Sequence, residues 1–484
     1  MRSTGASAFA CAAAIAMAGW GCAPRVAPPA APEPQVTRPE PRRKVVEIPE
    51  AQQRLLRERG TTNPEAHKAY RTALRKTYHQ KIRWLSKAID LDPNYAWAYH
   101  ERAVALASRS RYDAAIQDFS RFIALQPGVA YAYNYRGLAY GRKQQYDQAI
   151  ADFSKAIALA PDTPELHNNR GEAYWRKNQF ARAIADYNKA VELAPKQAWP
   201  YYNRALAHAS MEAYDKAIAD CGKAIDLRPD DADAYIARGM AHIETRDLDA
   251  AIADLTRATA LRPASVLAHY IRGDAWWQKA DYDRAIANYR KAIAFKPTFA
   301  PAHFGLGNTY WRKDQLDQAV ASYTRAIELK SGYAEAYRNR AFARRKRRDF
   351  ARAIDDLSTL IGLRPYDPTA YSDRGDTHLL NAELGLATLD YTKAIELKPN
   401  NPHAYYHRGL AHRYKGAHER AIIDLSKAIE LKPDFAPPYN ARAVCHFHAG
   451  DIASAWADVR KCQQLGFTPD PNLIQALKKA AGVP

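Results

Sequence analysis

Proline recurs along this chain with one fixed interval. Pro93, Pro127, Pro161, Pro195, Pro229, Pro263 and Pro297 stand 34 residues apart, as do Pro365, Pro399 and Pro433; the double step between the two runs has Ser331 at its midpoint. Self-similarity at this period marks a stacked array of small structural units. A chain of 484 residues would otherwise be expected to fold into several globular domains, and the repeat replaces that count with one array.

Between the prolines, other columns recur. In the unit ending at Pro161 they are Tyr133, Gly137, Tyr140, Ala149, Phe153 and Ala156. Each unit reads as two amphipathic helices joined by a short turn. The Gly137 column alternates only with alanine, and the Ala149 column is alanine in every unit, so bulk there would overpack the helix contact. Tyr146, Ile150, Phe153, Ile157 and Leu159 supply the apolar face towards the next unit, and the closing proline stops each second helix on schedule. No unit buries its apolar face alone. The pattern resembles the tetratricopeptide repeat family. That resemblance implies an all-α, right-handed superhelical solenoid of about eleven regular 34-residue helix-turn-helix repeats, with a degenerate first repeat and a C-terminal capping helix. One departure from the family pattern is an arginine before the glycine column, where leucine is usual.

Along the chain, residues 1–22 read as a signal peptide: Arg2, then an apolar core from Ala8 to Gly19 too short to span a bilayer. Two processing routes fit. Ala16-Met17-Ala18 suits cleavage after Ala18, and Gly21-Cys22 before a Pro/Ala-rich tether is similar to a bacterial lipoprotein with lipid on Cys22. The expected localisation is accordingly exported, as a periplasmic or outer-membrane-attached lipoprotein, with secretion as the alternative. Residues 23–61 form a Pro-rich linker and a short helix, 62–95 a degenerate capping repeat with Lys81 in the alanine column, 96–467 the array, and 468–484 a closing helix. In that helix Asp470 is the N-cap, Gly482 lies just past the end, and Leu473, Ile474 and Leu477 share the apolar face. Ser331-Gly332 in place of proline, Leu360 in a column that is mostly alanine and Arg344 in one usually aromatic or histidine mark an irregular unit where the pitch could change. Five scattered cysteines with no C-x-x-C pair indicate neither a zinc site nor a disulfide framework; Cys221 and Cys462 read as small core residues.

Ten arginines in one column, Arg136 and Arg374 among them, are matched by aspartates such as Asp152 and Asp390 in the second helices. The unit with Leu306 for arginine also has Ser322 for aspartate, and this paired loss is what a charge ladder between helices predicts, because a partly buried charge left alone is expensive. In the family, one side of each first helix lines a concave groove. The resemblance places Trp97, His100, Tyr131, Asn134, Asn168, Glu172, Trp175, Trp199, Tyr202, Tyr270, Asp274, Trp277, Phe304, Asn308, Trp311, Arg338 and Asn440 there. Rings for contact area and amides for backbone hydrogen bonds suit capture of a protein or peptide partner; the alternative is that several of these rings pack between helices. The lysine and asparagine clamp by which some relatives hold a C-terminal carboxylate is not recognisable.

The net charge is +19 (71 basic minus 52 acidic residues), which favours anionic partners. Arg142, Lys143, Arg176, Lys177, Arg312, Lys313, Arg345, Lys346, Arg347 and Arg348 end first helices, where cations offset the helix dipole; alternatively they form a basic track for an acidic envelope polymer or lipid headgroups. An exported chain disfavours nucleic acid as the partner. His208, His242, His378, His412 and His446 share one column and read as half-buried packing residues. His403 and His407 have i,i+4 metal spacing without an obvious third ligand, so no metal or other cofactor is expected. No nucleophile elbow, H-E-x-x-H, phosphate loop or separated carboxylate pair appears, which speaks against an enzyme. The expectation is a protein-interaction scaffold of the cell envelope; the alternatives are an electrostatic binder of an anionic polymer and a cytosolic assembly factor.

Overall fold

A computed structural model describes residue 61 and residues 63–480. The expected signal peptide, Cys22, the linker, the short helix before Gly60 and Gly482 lie outside the described residues. Those described form 25 α-helices and no strand. They divide into two compact units, one ending at Ala275 and the other beginning at Trp276.

In the first unit the founding pattern folds into Ala130–Arg142 and Tyr146–Leu159, and the same two-helix module recurs at each 34-residue step. The residue before the closing proline is extended, as at Ala160 (φ −146°), because proline excludes the helical conformation there. From Pro64–Leu74 to Leu248–Leu261 each helix packs on its successor, and first helices also touch the first helices of the next module, which draws them together along one face. The second unit repeats this plan from Ala300–Arg312 and Leu316–Leu329 onwards. At Ser331 the local turn is the same as at the prolines: Lys330 is extended (φ −145°), and the Tyr333 N–H bonds to the Lys330 carbonyl at 3.0 Å, as Phe299 does to Lys296. Leu360 is fully buried. The array closes on Pro471–Ala480, where Asp470 accepts from the Asn472 N–H at 2.9 Å and Leu473 and Leu477 pack on Val459 and Phe447.

The glycine column owes its smallness to the side chain it faces, a ring at most of its positions and a leucine at Gly239 and Gly409. A Cβ on Gly137 would stand 2.8 Å from Phe153, one on Gly171 2.8 Å from Tyr187, and one on Gly375 2.9 Å from Tyr391. The alanine column is itself buried in the contact between the two helices, at Ala149, Ala183 and Ala387 among others.

The turn between first and second helix is a feature with no sequence mark. Ser110, Gln144, Asn178, Glu212, Arg246, Ala280, Asp314, Arg348 and Ala382 all have φ between 58° and 65°, and only Gly416 and Gly450 put glycine at this step. The N–H one residue further reaches back five residues, as from Gln145 to the Tyr140 carbonyl and from Gln315 to Tyr310, both at 2.9 Å. This closes the helix as a Schellman turn does, usually with glycine. Ala382→Gly is therefore expected to stabilise its module by about 0.5–1 kcal/mol, the relief of left-handed strain less the entropy of glycine; slower amide exchange of Leu379 to Glu383 would register it.

The arginine column is a clamp. Nine arginines, from Arg102 to Arg442, hold the aspartate sixteen residues on through paired bonds of 2.6–3.0 Å. The aspartates are 3–7 % exposed. Eight of the nine also donate a third bond to a serine, threonine or asparagine of the preceding second helix, as Arg136 does to Ser120 at 3.0 Å and Arg374 to Ser358 at 3.0 Å. One guanidinium thus ties three helices, which leucine could not do.

Lys81 in the alanine column has a partner as unusual as itself. Its ammonium donates to the Glu101 carboxylate at 2.6 Å. Burial would raise the Glu101 carboxyl, yet His100 and Lys81 bring it down to about 2. A carboxyl depressed below its ordinary value stabilises the fold above the ordinary range, and that stability is lost as pH falls towards 2. Lys81→Met is expected to cost about 2 kcal/mol at pH 7, since it strands a buried charge, and progressively less on acidification, when Glu101 can take up a proton. Urea unfolding at pH 7 and pH 4 would separate these cases.

Candidate functional site

The side along which first helices meet carries the residues expected to line a groove, and the two units use them differently. In the first unit many are consumed by packing. Trp97, His100 and Tyr131 are buried against one another and Phe122, with ring centroids 5.3–6.1 Å apart. Trp199 is likewise buried. Asn134 and Asn168, 0 % and 3 % exposed, do not present free amides: Asn134 accepts from Asn169 at 2.9 Å and Asn168 from Asn203 at 2.6 Å. Amides of adjacent modules thus pair inside the stack through one bond each, and at the first of these pairs Asn134 Nδ2 and Asn169 Oδ1 stay buried without a partner, at a cost to the fold. Trp175 is half-buried and donates its ring N–H to Ser210 at 3.0 Å; Tyr202 and Tyr270 are half-buried.

The second unit keeps more of this side open. Trp311 is 37 % exposed, and the Arg312 guanidinium lies 5.6 Å from its ring centroid and 5.7 Å from that of Trp277. Phe304 packs on Tyr323 and Tyr333. Asn308 accepts from the Tyr323 hydroxyl and from Asn339, both at 2.9 Å, and Asn440 accepts from the Asp470 N–H at 3.2 Å. Arg338 bonds Asp367 at 2.5 Å and has its Nε 3.1 Å from Asp373.

Arg338 leads to a cluster missing from the residues expected at the site. Asp376 accepts from the Tyr391 hydroxyl at 2.7 Å and lies 3.9 Å from Arg345 and 3.7 Å from His407. Burial lifts the Asp373 carboxyl to about 6 against the pull of Arg338, and Asp376 adds to the rise. Burial holds His407 below its ordinary value. The signal was present: Asp373 and Asp376 are three apart on Pro368–Leu380, as groove-facing residues of one helix are.

Most of the residues expected to form a basic track have acidic partners. Lys143 pairs with Asp113, Lys177 with Asp147, Lys313 with Asp283 at 2.5 Å, Lys346 with Asp314 at 2.5 Å and Arg347 with Asp317 at 2.9 Å. Several of these aspartates open a second helix, where they also suit its dipole. Arg176 meets Glu172 at 3.5 Å and Arg345 meets Asp376. Arg348 occupies the left-handed turn position, and Arg142 is half-buried.

The histidine column packs beside the clamp: His208, His242, His378 and His412 have Nε2 3.8–4.0 Å from its aspartates, and burial lowers His208 and His412 below their ordinary values. Arg344 in the same column bonds Asp356 at 2.7 Å, so the irregular residue reinforces the contact. Cys221, Cys445 and Cys462 are buried and free.

Models of tetratricopeptide repeats match residues 84–117, 135–198, 198–231, 232–265 and 273–314, and the matches at 198–231 and 232–265 each coincide with one helix pair. The chain carries tetratricopeptide repeats. A model of the ETO1 C-terminal domain matches residues 299–481. Among solved structures, a tetratricopeptide repeat protein from Parabacteroides merdae is 14 % identical over 51 % of this chain and 98 % of its own, with a TM-score of 0.43. MamA is 28 % identical over 34 % and 96 %, with a TM-score of 0.32. YrrB, described as a TPR protein with an unusual peptide-binding site, is 24 % identical over 38 % and 95 %, with a TM-score of 0.33. No curated protein matches. Tetratricopeptide repeats are protein-interaction modules, generally without enzymatic activity, and the repeats matched here support a protein-interaction scaffold.

Proposed function

We propose that the chain is an adaptor of the cell envelope that holds a segment of another protein along the joined faces of its first helices. The observation that carries this reading is the open stretch of the second unit, where Trp311 and the Arg338, Asp373, Asp376 and His407 cluster stay partly exposed. Exposed rings and unevenly matched charges on a rigid scaffold give contact area and specificity to a bound segment. The export signal and the Cys22 tether support attachment to a membrane from the periplasmic side. The internal ion pairs of Lys143, Lys177, Lys313, Lys346 and Arg347 weigh against a basic track as the binding surface, since most of the residues expected to form it already have an acidic partner.

A photo-crosslinking amino acid placed in cells at Trp311 or Tyr414, on first helices, is expected to trap a protein partner. The same probe at Leu389 or Ile423, exposed on second helices, is expected to trap none. Trapping confined to the second helices would end the reading. Cell fractionation of a tagged chain tests the location, and a cytosolic chain would overturn that part.

A further inference from the structure

The repeat provides an internal comparison for Arg312. In the module at Pro164–Arg176, Trp175 is followed by Arg176, whose guanidinium lies 5.0 Å from the Trp175 ring centroid and meets the Glu172 carboxylate at 3.5 Å, four residues earlier. In the module at Ala300–Arg312 the same columns hold Trp311, Arg312 and, four residues earlier, Asn308. Here the guanidinium is flanked by two indoles, Trp277 and Trp311, and the carboxylate that Glu172 supplies is replaced by an amide. That amide's oxygen is already taken up by Tyr323 and Asn339. Among the described residues no carboxylate stands within ion-pair range of Arg312, whereas the adjacent Lys313 has Asp283. Arg312 and Trp311 are both exposed.

Two rings fix the plane of a guanidinium and leave its edge free, the arrangement that favours bidentate contact with a carboxylate. Building on the adaptor reading above, we propose that Trp277, Arg312 and Trp311 form a receptor for an acidic side chain of the bound segment. An apolar neighbour of that side chain lies on the open face of Trp311. The partner is therefore a protein segment in which glutamate or aspartate adjoins a large apolar residue. The positive net charge of the chain favours the approach of such a segment.

The test is fluorescence anisotropy of the full chain with a fluorescein-labelled peptide of repeated Glu-Leu pairs, set against a Gln-Leu counterpart. The Glu-Leu peptide should bind, and Arg312→Gln should weaken it by about tenfold or more. Arg312→Lys should fail to restore binding, because an ammonium lacks the bidentate edge. Arg325→Gln removes the same charge from an exposed second-helix site and should leave affinity unchanged. No binding by the unmodified chain, equal affinity for both peptides, an unaltered Arg312→Gln variant, or an equal loss in Arg325→Gln would each overturn the receptor. Partner trapping at Tyr414 separates the two levels: if trapping persists undiminished in Arg312→Gln, the adaptor stands and the acidic receptor falls, and if no first-helix probe traps a partner even in the unmodified chain, the adaptor itself falls.

Discussion

Arg374→Leu is expected to destabilise its part of the second unit by about 3–5 kcal/mol, and removing Asp390 as well is expected to recover a substantial share of that loss. The single change leaves the Asp390 carboxylate 6 % exposed, without its two bonds of 2.7 and 2.9 Å, and leaves Ser358 without the guanidinium that caps it. The double change Arg374→Leu/Asp390→Ser removes both charges and reproduces a pair the chain already tolerates, Leu306 and Ser322, the latter bonded to its own helix at the Gln318 carbonyl, 2.7 Å away. Urea unfolding of the three variants decides the matter. Equal losses in the single and double variants would show that the clamp contributes through shape and not through charge pairing.

Gly307→Val should cost about 3 kcal/mol. A Cβ at Gly307 would come within 2.6 Å of the Tyr323 ring, and that ring is 1 % exposed and tethered through its hydroxyl to Asn308, so it has no room to give way. The remaining modules suggest the compensation. Where alanine holds this column the facing residue is often smaller, as with Ala341 and Leu357 or Ala205 and Cys221, all of them buried. Gly307→Ala combined with Tyr323→Leu should therefore lose less than the sum of its two single changes, a coupling that a double-mutant cycle in urea reads directly. Strict additivity would mean that glycine and ring do not constrain each other.

The features most legible in the sequence were those repeated often enough to test themselves. Helix pairs, turns and closing prolines follow from a period that recurs in every module. The Arg–Asp clamp could be read from the joint loss at Leu306 and Ser322, since a physical pair fails as a pair. What was not legible depends on contacts between different columns. Asn134 and Asn168 look like groove amides because their column faces inward; their partners Asn169 and Asn203 lie 35 residues away, in the neighbouring column of the next module. Lys81 looked like simple decay of an end repeat until Glu101 appeared beside it. The left-handed turns are silent in the sequence for a different reason. Serine, glutamine, asparagine, glutamate, arginine, alanine and aspartate all occupy the same backbone conformation there, so no residue type announces it. At the candidate site, Arg338 is legible as a groove residue and His407 only as half of a metal-spaced pair, whereas Asp373 and Asp376 carry no mark, because their significance lies in uneven matching across three helices and not in any one residue type.

The clamp has a mechanical corollary. Eight of the nine guanidinia rivet a module to the one before it, and in the second unit the riveting is interrupted at Leu306, where a bond from Arg290 to the Tyr310 hydroxyl, 2.9 Å long, crosses to the preceding helix instead. When the second unit is stretched between its ends, the seam between Tyr282–Phe295 and Ala300–Arg312 should part before those held by Arg340, Arg374, Arg408 and Arg442, so that the protein lengthens first at a place chosen by one missing charge.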